Sequence, residues 1–165
     1  MSIRFSTSTP SLRGLLAPAG FCYRGAVVFL EGCACVCCLP LADIVTEQGQ
    51  NRLTPLDGLH GRKGVYVVVE DDAALYVGNS TRVTGTWDLR KRIAQHFREK
   101  DSGGTLRKNW GREHAGGNYR QFVQAMHRCH LQVISFGEDA NDQQVLRLEH
   151  LLIGLLVPRY CDMPK

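Results

Sequence analysis

The chain lacks an uninterrupted apolar run long enough to read as a membrane span. The stretch that comes nearest, "GAVVFLEGCACVCCLPLADI" at 25–44, is broken by Glu31 and followed by Pro40. No compact basic start precedes it, as a signal peptide would require. Zinc-ligand spacing is incomplete too: Cys35 and Cys38 have the right two-residue gap, but no second such pair or His pair follows. The seven cysteines are an odd count with five placed before residue 40, which does not suit a secreted disulfide framework. They read instead as small, mostly buried thiols kept reduced inside a cell. The expectation is a cytoplasmic chain with no membrane partner. Internal repeats are absent as well, which argues against solenoids and propellers.

What is present suits one domain with a real core and some extra length at one end: 165 residues, 44% hydrophobic and 22% charged. The net charge of +4 is unevenly spread. Between Gly85 and His130 lie ten Lys/Arg (Arg90, Lys91, Arg92, Arg98, Lys100, Arg107, Lys108, Arg112, Arg120, Arg128) against four acids, so this segment is +6 and the rest is −2. A basic middle in a near-neutral chain suits a polyanion such as nucleic acid; a solvated helix face is the other reading.

Residues 1–24 are rich in Ser, Thr, Pro and Gly without a period, and 25–57 end in the linker-like "TEQGQNRLTPLDG". Residues 1–57 are therefore expected to be leader and linker, and 58–165 the compact domain. There the patterns sharpen. Val65–Glu70 reads as a buried β-branched strand and Ala74–Val77 as its partner across an acidic turn. Trp87–Lys100, Leu106–Trp110 and Tyr119–Arg128 read as helices, and Leu131–Phe136 as a strand. Asn141 can cap a final helix over Asp142–Leu156, closed off by Pro158. This order predicts an α+β fold, with a small antiparallel sheet of about three strands flanked by helices.

Three places carry chemistry. The hairpin "GVYVVVEDDAALYVG" at 64–78 holds Gly64 and Tyr66 in one arm and Tyr76 and Gly78 in the other, a combination packing alone does not demand. In "DLRKRIAQHF", Arg92 and His96 are four apart at the edge of the stripe Leu89, Ile93 and Phe97, pairing a phosphate-binding fork with a proton carrier. In the last helix Glu149 lies on the apolar face of Val145, Leu148, Leu152 and Leu156. A carboxylate there needs either an Arg partner such as Arg92 or a hard cation.

Taken in order, these pieces resemble the GIY-YIG nuclease superfamily. "GVY" at 64–66 stands for the first motif and "YVG" at 76–78 for the second; the helix with Arg and His and the Glu before Pro158 follow. The resemblance covers roughly residues 60–162. It implies a GIY-YIG-like fold and a metal-dependent DNA endonuclease using one Mg²⁺ or Mn²⁺, or else a catalytically weakened module of that fold which binds nucleic acid. On this resemblance Tyr66 is the general base toward water and Tyr76 orients its proton network. Arg92 neutralises charge on the scissile phosphate, His96 shuttles a proton and Glu149 holds the metal. Gly64 and Gly78 let backbone come close to neighbours or substrate, and with Lys91, Arg107 and Lys108 they are the candidate substrate contacts. One departure is visible. Where the family often has Asn in a "P-x-x-N" ending, this chain has Cys161, and a thiol is not expected to replace the amide's hydrogen bonds.

Overall fold

A computed structural model describes residues 35–71, 73–81, 87–99, 104–136 and 140–161 of the chain. The strands are β1 (Cys35–Pro40), β2 (Lys63–Glu70), β3 (Ala73–Ser80) and β4 (His130–Phe136). The helices are α1 (Leu41–Ile44), α2 (Leu89–Gln95), α3 (Thr105–Glu113), α4 (Tyr119–Met126) and α5 (Asp142–Leu156), with a 3-10 turn over Thr54–Leu59. The four strands pair antiparallel in the order β1-β4-β2-β3, so the α+β class holds with one strand more than expected.

That extra strand lies in the stretch read as leader and linker. β1 runs along β4, with Cys37 opposite Val133 and Pro40 opposite His130. Leu41, Ile44, Val45 and Leu56 behind it are fully buried in the main core. The sheet and its core thus begin well upstream of residue 58. "CVCCLP" gave little β signal because β1 is a sheet edge built largely of cysteines, and Pro40 stands at its end, where an edge strand tolerates a missing N–H. Cys37 is buried and Cys38 half-buried. Residues 1–34, including the expected leader, lie outside the described residues. Among the described residues no helix is long and apolar enough to cross a membrane.

Both faces of the sheet are covered, which explains why β2 is a run of valines rather than an alternation. One face, with Tyr66, Val68, Leu131 and Val133, packs under α1 to α4. The other, with Val65, Val67, Val77 and Ile134, packs against Val145, Leu148, Leu152 and Ile153 of α5. Each such apolar side chain contributes about 1.5–3 kcal/mol relative to exposure. The register between β2 and β3 slips by one residue: Val68 faces Tyr76, but Val69 faces Ala74. Leu75 is the extra residue of this bulge, so Leu75 and Tyr76 both join the core under the helices. Tyr76, two residues before Gly78 in unbroken register, shares the face of Tyr66, and the bulge turns Leu75 onto that face beside it.

The helices start where their caps require. Asp88 caps α2 by accepting from Lys91 N at 2.8 Å, and its other oxygen accepts from Gly61 N at 3.1 Å. Trp87, expected inside this helix, precedes the cap; α2 ends at Gln95. Asn118 opens α4 and Asn141 opens α5, each in a reciprocal capping box with the Gln three residues on.

Candidate active site

Tyr66 points from the middle of β2 and Tyr76 from β3, while α2 lies across them. The Tyr66 and Tyr76 rings lie 6.1 Å apart, and the His96 ring stands 5.8 Å from Tyr66 and 5.2 Å from Tyr76. Tyr66 Oη and His96 Nε2 are 2.6 Å apart, a hydrogen bond whose direction follows the imidazole tautomer. Thr105, at the start of α3, hydrogen-bonds the Tyr76 side chain. The glycines explain how the rings fit. Gly78 sits directly opposite Tyr66, and a Cβ there would stand 2.6 Å from the Tyr66 hydroxyl and 2.8 Å from the Tyr76 ring. Gly64 instead lets β4 and α2 close in, since a Cβ would meet Ile134 O at 2.3 Å. Gly64 is therefore a packing position, with its neighbours being protein.

The phenols and the imidazole are deeply placed: Tyr66 is 0% and His96 2% exposed. Spacing puts His96 at the edge of the apolar stripe; in the structure it is turned in, at the C-terminal end of α2. Burial sets the protonation of all three. It holds the Tyr66 hydroxyl well above the usual phenol range, reinforced by Tyr76 and opposed by Arg92. Burial and the nearby Cys161 push Tyr76 up to about 12. Burial, then the Arg92 charge, pulls His96 down to about 3, so the imidazole is neutral at physiological pH. Its other nitrogen, Nδ1, is buried without a hydrogen-bond partner beside Gly104, where a Cβ would come within 1.8 Å.

Arg92 is half-buried at the open side. Its Nη1 donates to Gln95 at 3.0 Å, and its guanidinium stands 5.9 Å from the centre of the Trp87 ring. Its charge acts on Tyr66, Tyr76, His96 and Glu149 alike. The anticipated Arg92–Glu149 pair is not formed: among the described residues, no ion pair within 4 Å joins them. Glu149 Oε2 instead accepts from Asn79 Nδ2 at 2.5 Å. Burial raises the Glu149 carboxyl, and the Asn79 hydrogen bond, His150 and Arg92 only partly offset it. Asn79, the residue right after the second motif, is a site member the sequence reading missed. Its role depends on a contact across 70 residues.

A half-buried carboxylate with one amide partner and a raised pKa is incompletely compensated, and such a group suits a hard cation. Among the described residues no cluster of three His, Cys, Asp or Glu side chains forms. An ion here would rest on Glu149, with water and substrate oxygens completing its shell, a donor set that fits Mg²⁺ or Mn²⁺.

Cys161 departs from expectation in the other direction. After Pro158, residues 159–161 run along the outer edge of β3: Arg159 N donates to Ala74 O at 3.3 Å and Tyr160 N to Leu75 O at 2.8 Å. Cys161 Sγ then accepts from Val77 N at 3.1 Å and donates to Val77 O at 3.3 Å. A thiol has one donor and acceptor capacity, so it does meet both backbone groups here, though more weakly than an amide.

Other candidates lie elsewhere or act structurally. Arg107 Nη1 donates to the carbonyls of Arg98 and Glu99, and its guanidinium stacks 4.8 Å from the Tyr119 ring. It ties α3 to the chain after α2 and is engaged by protein. Lys108 is exposed on α3. Lys91 follows the α2 cap and is half-buried. Beside Arg92 opens a cavity of about 280 Å³ lined by Asn79, Ser80, Thr81, Trp87 and Arg92. Comparison of the chain with family models, curated proteins and solved structures finds no match.

Proposed function

We propose that the protein is a metal-dependent endonuclease of GIY-YIG type, acting on DNA phosphodiesters. The observation that supports this best is convergence. Tyr66, Tyr76 and His96, drawn from two strands and a helix, are in mutual contact, and the charges of Arg92 and Glu149 both reach the two phenols. The resemblance assigned these five residues to one site, from stretches of the chain up to 83 residues apart.

The chemistry follows from the protonation states. A phenol held above its ordinary pKa is no phenolate at neutral pH, so Tyr66 acts by relay. As water attacks phosphorus, its O–H bond breaks and Tyr66 Oη takes the proton. Tyr66's own proton moves across the 2.6 Å contact to His96 Nε2, making imidazolium. The bond from phosphorus to the leaving oxygen breaks, and that oxygen takes a proton from solvent. Burial, and after it the Arg92 charge, disfavours imidazolium, and a phosphate on Arg92 cancels the second of these. Substrate binding thus raises the basicity the relay needs. Glu149 would hold the divalent ion, which supplies charge stabilisation at the leaving oxygen. Asn79 keeps Glu149 in place for it.

The burial of Tyr66 and His96 favours a second reading, in which the pair is a core hydrogen bond and the basic surface binds nucleic acid without cutting. Tyr66→Phe separates the two. It removes one oxygen and keeps the ring, so on the nuclease reading single-turnover cleavage with Mg²⁺ or Mn²⁺ slows by about 10²-fold or more with binding nearly unchanged. Tyr76→Phe costs less. Equal rates for wild type and Tyr66→Phe, or no metal-dependent cleavage by wild type on any DNA or RNA tried, rejects the nuclease reading.

A further inference from the structure

We propose that Trp87 is a stacking platform for a single unstacked base, so that this site takes a single-stranded or frayed strand in preference to continuous duplex. The inference rests on the reading that the site acts on nucleic acid, and it names the form of the substrate. Trp87 is 40% exposed at the edge of the cavity it shares with Arg92. The other tryptophan, Trp110, is 4% exposed and stacked on His114, as an indole serving only the core would be. Trp87 is open yet held. Ser80 Oγ donates to its carbonyl at 2.5 Å, and the next residue is Asp88, the buried α2 cap tied to Gly61 and Lys91.

The surroundings fit a nucleotide. The Arg92 guanidinium lies over one face of the indole, 5.9 Å from its centre, and is placed for the phosphate of a nucleotide whose base stacks on the other face. Thr81 and Asn79 line the same space with a hydroxyl and an amide suited to a base or sugar edge, while the Ser80 hydroxyl is committed to the Trp87 carbonyl. At about 280 Å³ the cavity lies at the small end of ligand sites, room for one nucleotide unit. In a duplex each base face is covered by its neighbours, so the indole meets one only where the strand is unpaired, frayed or flipped.

Tryptophan emission tests this without cleavage. Wild type and Trp87→Leu are titrated in chelator with a short oligothymidylate, an abasic oligonucleotide of equal length and a blunt duplex, with a melt to check folding. Oligothymidylate is expected to quench wild-type emission and to bind Trp87→Leu about 5- to 100-fold more weakly. The abasic strand binds wild type as weakly as oligothymidylate binds the variant, and the duplex does not quench. Equal affinity of wild type for abasic and base-bearing strands overturns the proposal whether or not the variant folds. So does unchanged affinity in a folded Trp87→Leu. Quenching without metal-dependent cleavage leaves the platform standing and removes the nuclease reading; cleavage without quenching does the reverse. No binding of any nucleic acid overturns both.

Discussion

Glu149 carries a charge its surroundings resist: burial raises its pKa, and its hydrogen bond comes from the neutral Asn79 amide. A glutamine oxygen can accept the same bond. Glu149→Gln is therefore expected to melt at or above the wild-type temperature while metal-dependent cleavage falls about 10²-fold or more. A melt and a nicking assay on one sample check both halves. His96 gives the opposite linkage. Its folded pKa of about 3 lies below the ordinary 6.5, so the unfolded chain binds the proton first. The stability from a neutral His96 is present above about 6.5 and drains as pH falls toward 3, by at most about 1.4 kcal/mol per pH unit. Denaturation midpoints against pH, compared with His96→Gln, should show a steeper acid decline in wild type. The types and positions of these residues were readable from spacing. That His96 turns inward and that Glu149 meets Asn79 was not, because neither contact has a local signature.

At the scale of elements, α5 sets the position of Glu149 by clamping its apolar face on β2 and β3, and it ends on an uneasy residue. Val157 has φ +44° and is 64% exposed, so a β-branched side chain sits in the left-handed region with little packing in return. Val157→Gly is expected to raise stability by about 1 kcal/mol, read as a higher urea midpoint with unchanged slope. From this C-cap the chain turns onto the β3 edge, where Tyr160 and Cys161 bond to the backbone of Leu75 and Val77. The Asn141 cap of α5 and the valine run of β2 were legible because each is a local pattern. The Leu75 bulge was not, since it exists only relative to the partner strand.

Across the whole molecule, the ten basic residues of the middle are less available than their count suggests. Arg90 pairs with Asp57, Arg128 with Glu70, and Arg107 serves backbone carbonyls. Nucleic-acid binding should still weaken with salt. With at least these three engaged, the slope of log affinity against log salt should stay below about 6 in magnitude. Titrations over a range of salt measure it. A flat line removes the basic middle as the binding surface, and a steeper slope shows that the three ion-paired or bonded arginines are released on binding.

Sequence alone determined the class of fold and seven of its elements from β2 to α5, and it singled out the side chains of the candidate site other than Asn79. Periodicity, capping residues and β-branched runs act over a few positions and need no partner. Tertiary structure decided what joins across distance. It added β1 to the sheet edge beside β4, and it closed the Asn79–Glu149 contact over 70 residues and the Cys161–Val77 contact over 84. It also laid Tyr66 over Gly78, where the space for a ring exists only because the opposite strand has no Cβ. Pairing energies of this kind depend on geometry that the whole core must first create, so no local stretch of sequence encodes them.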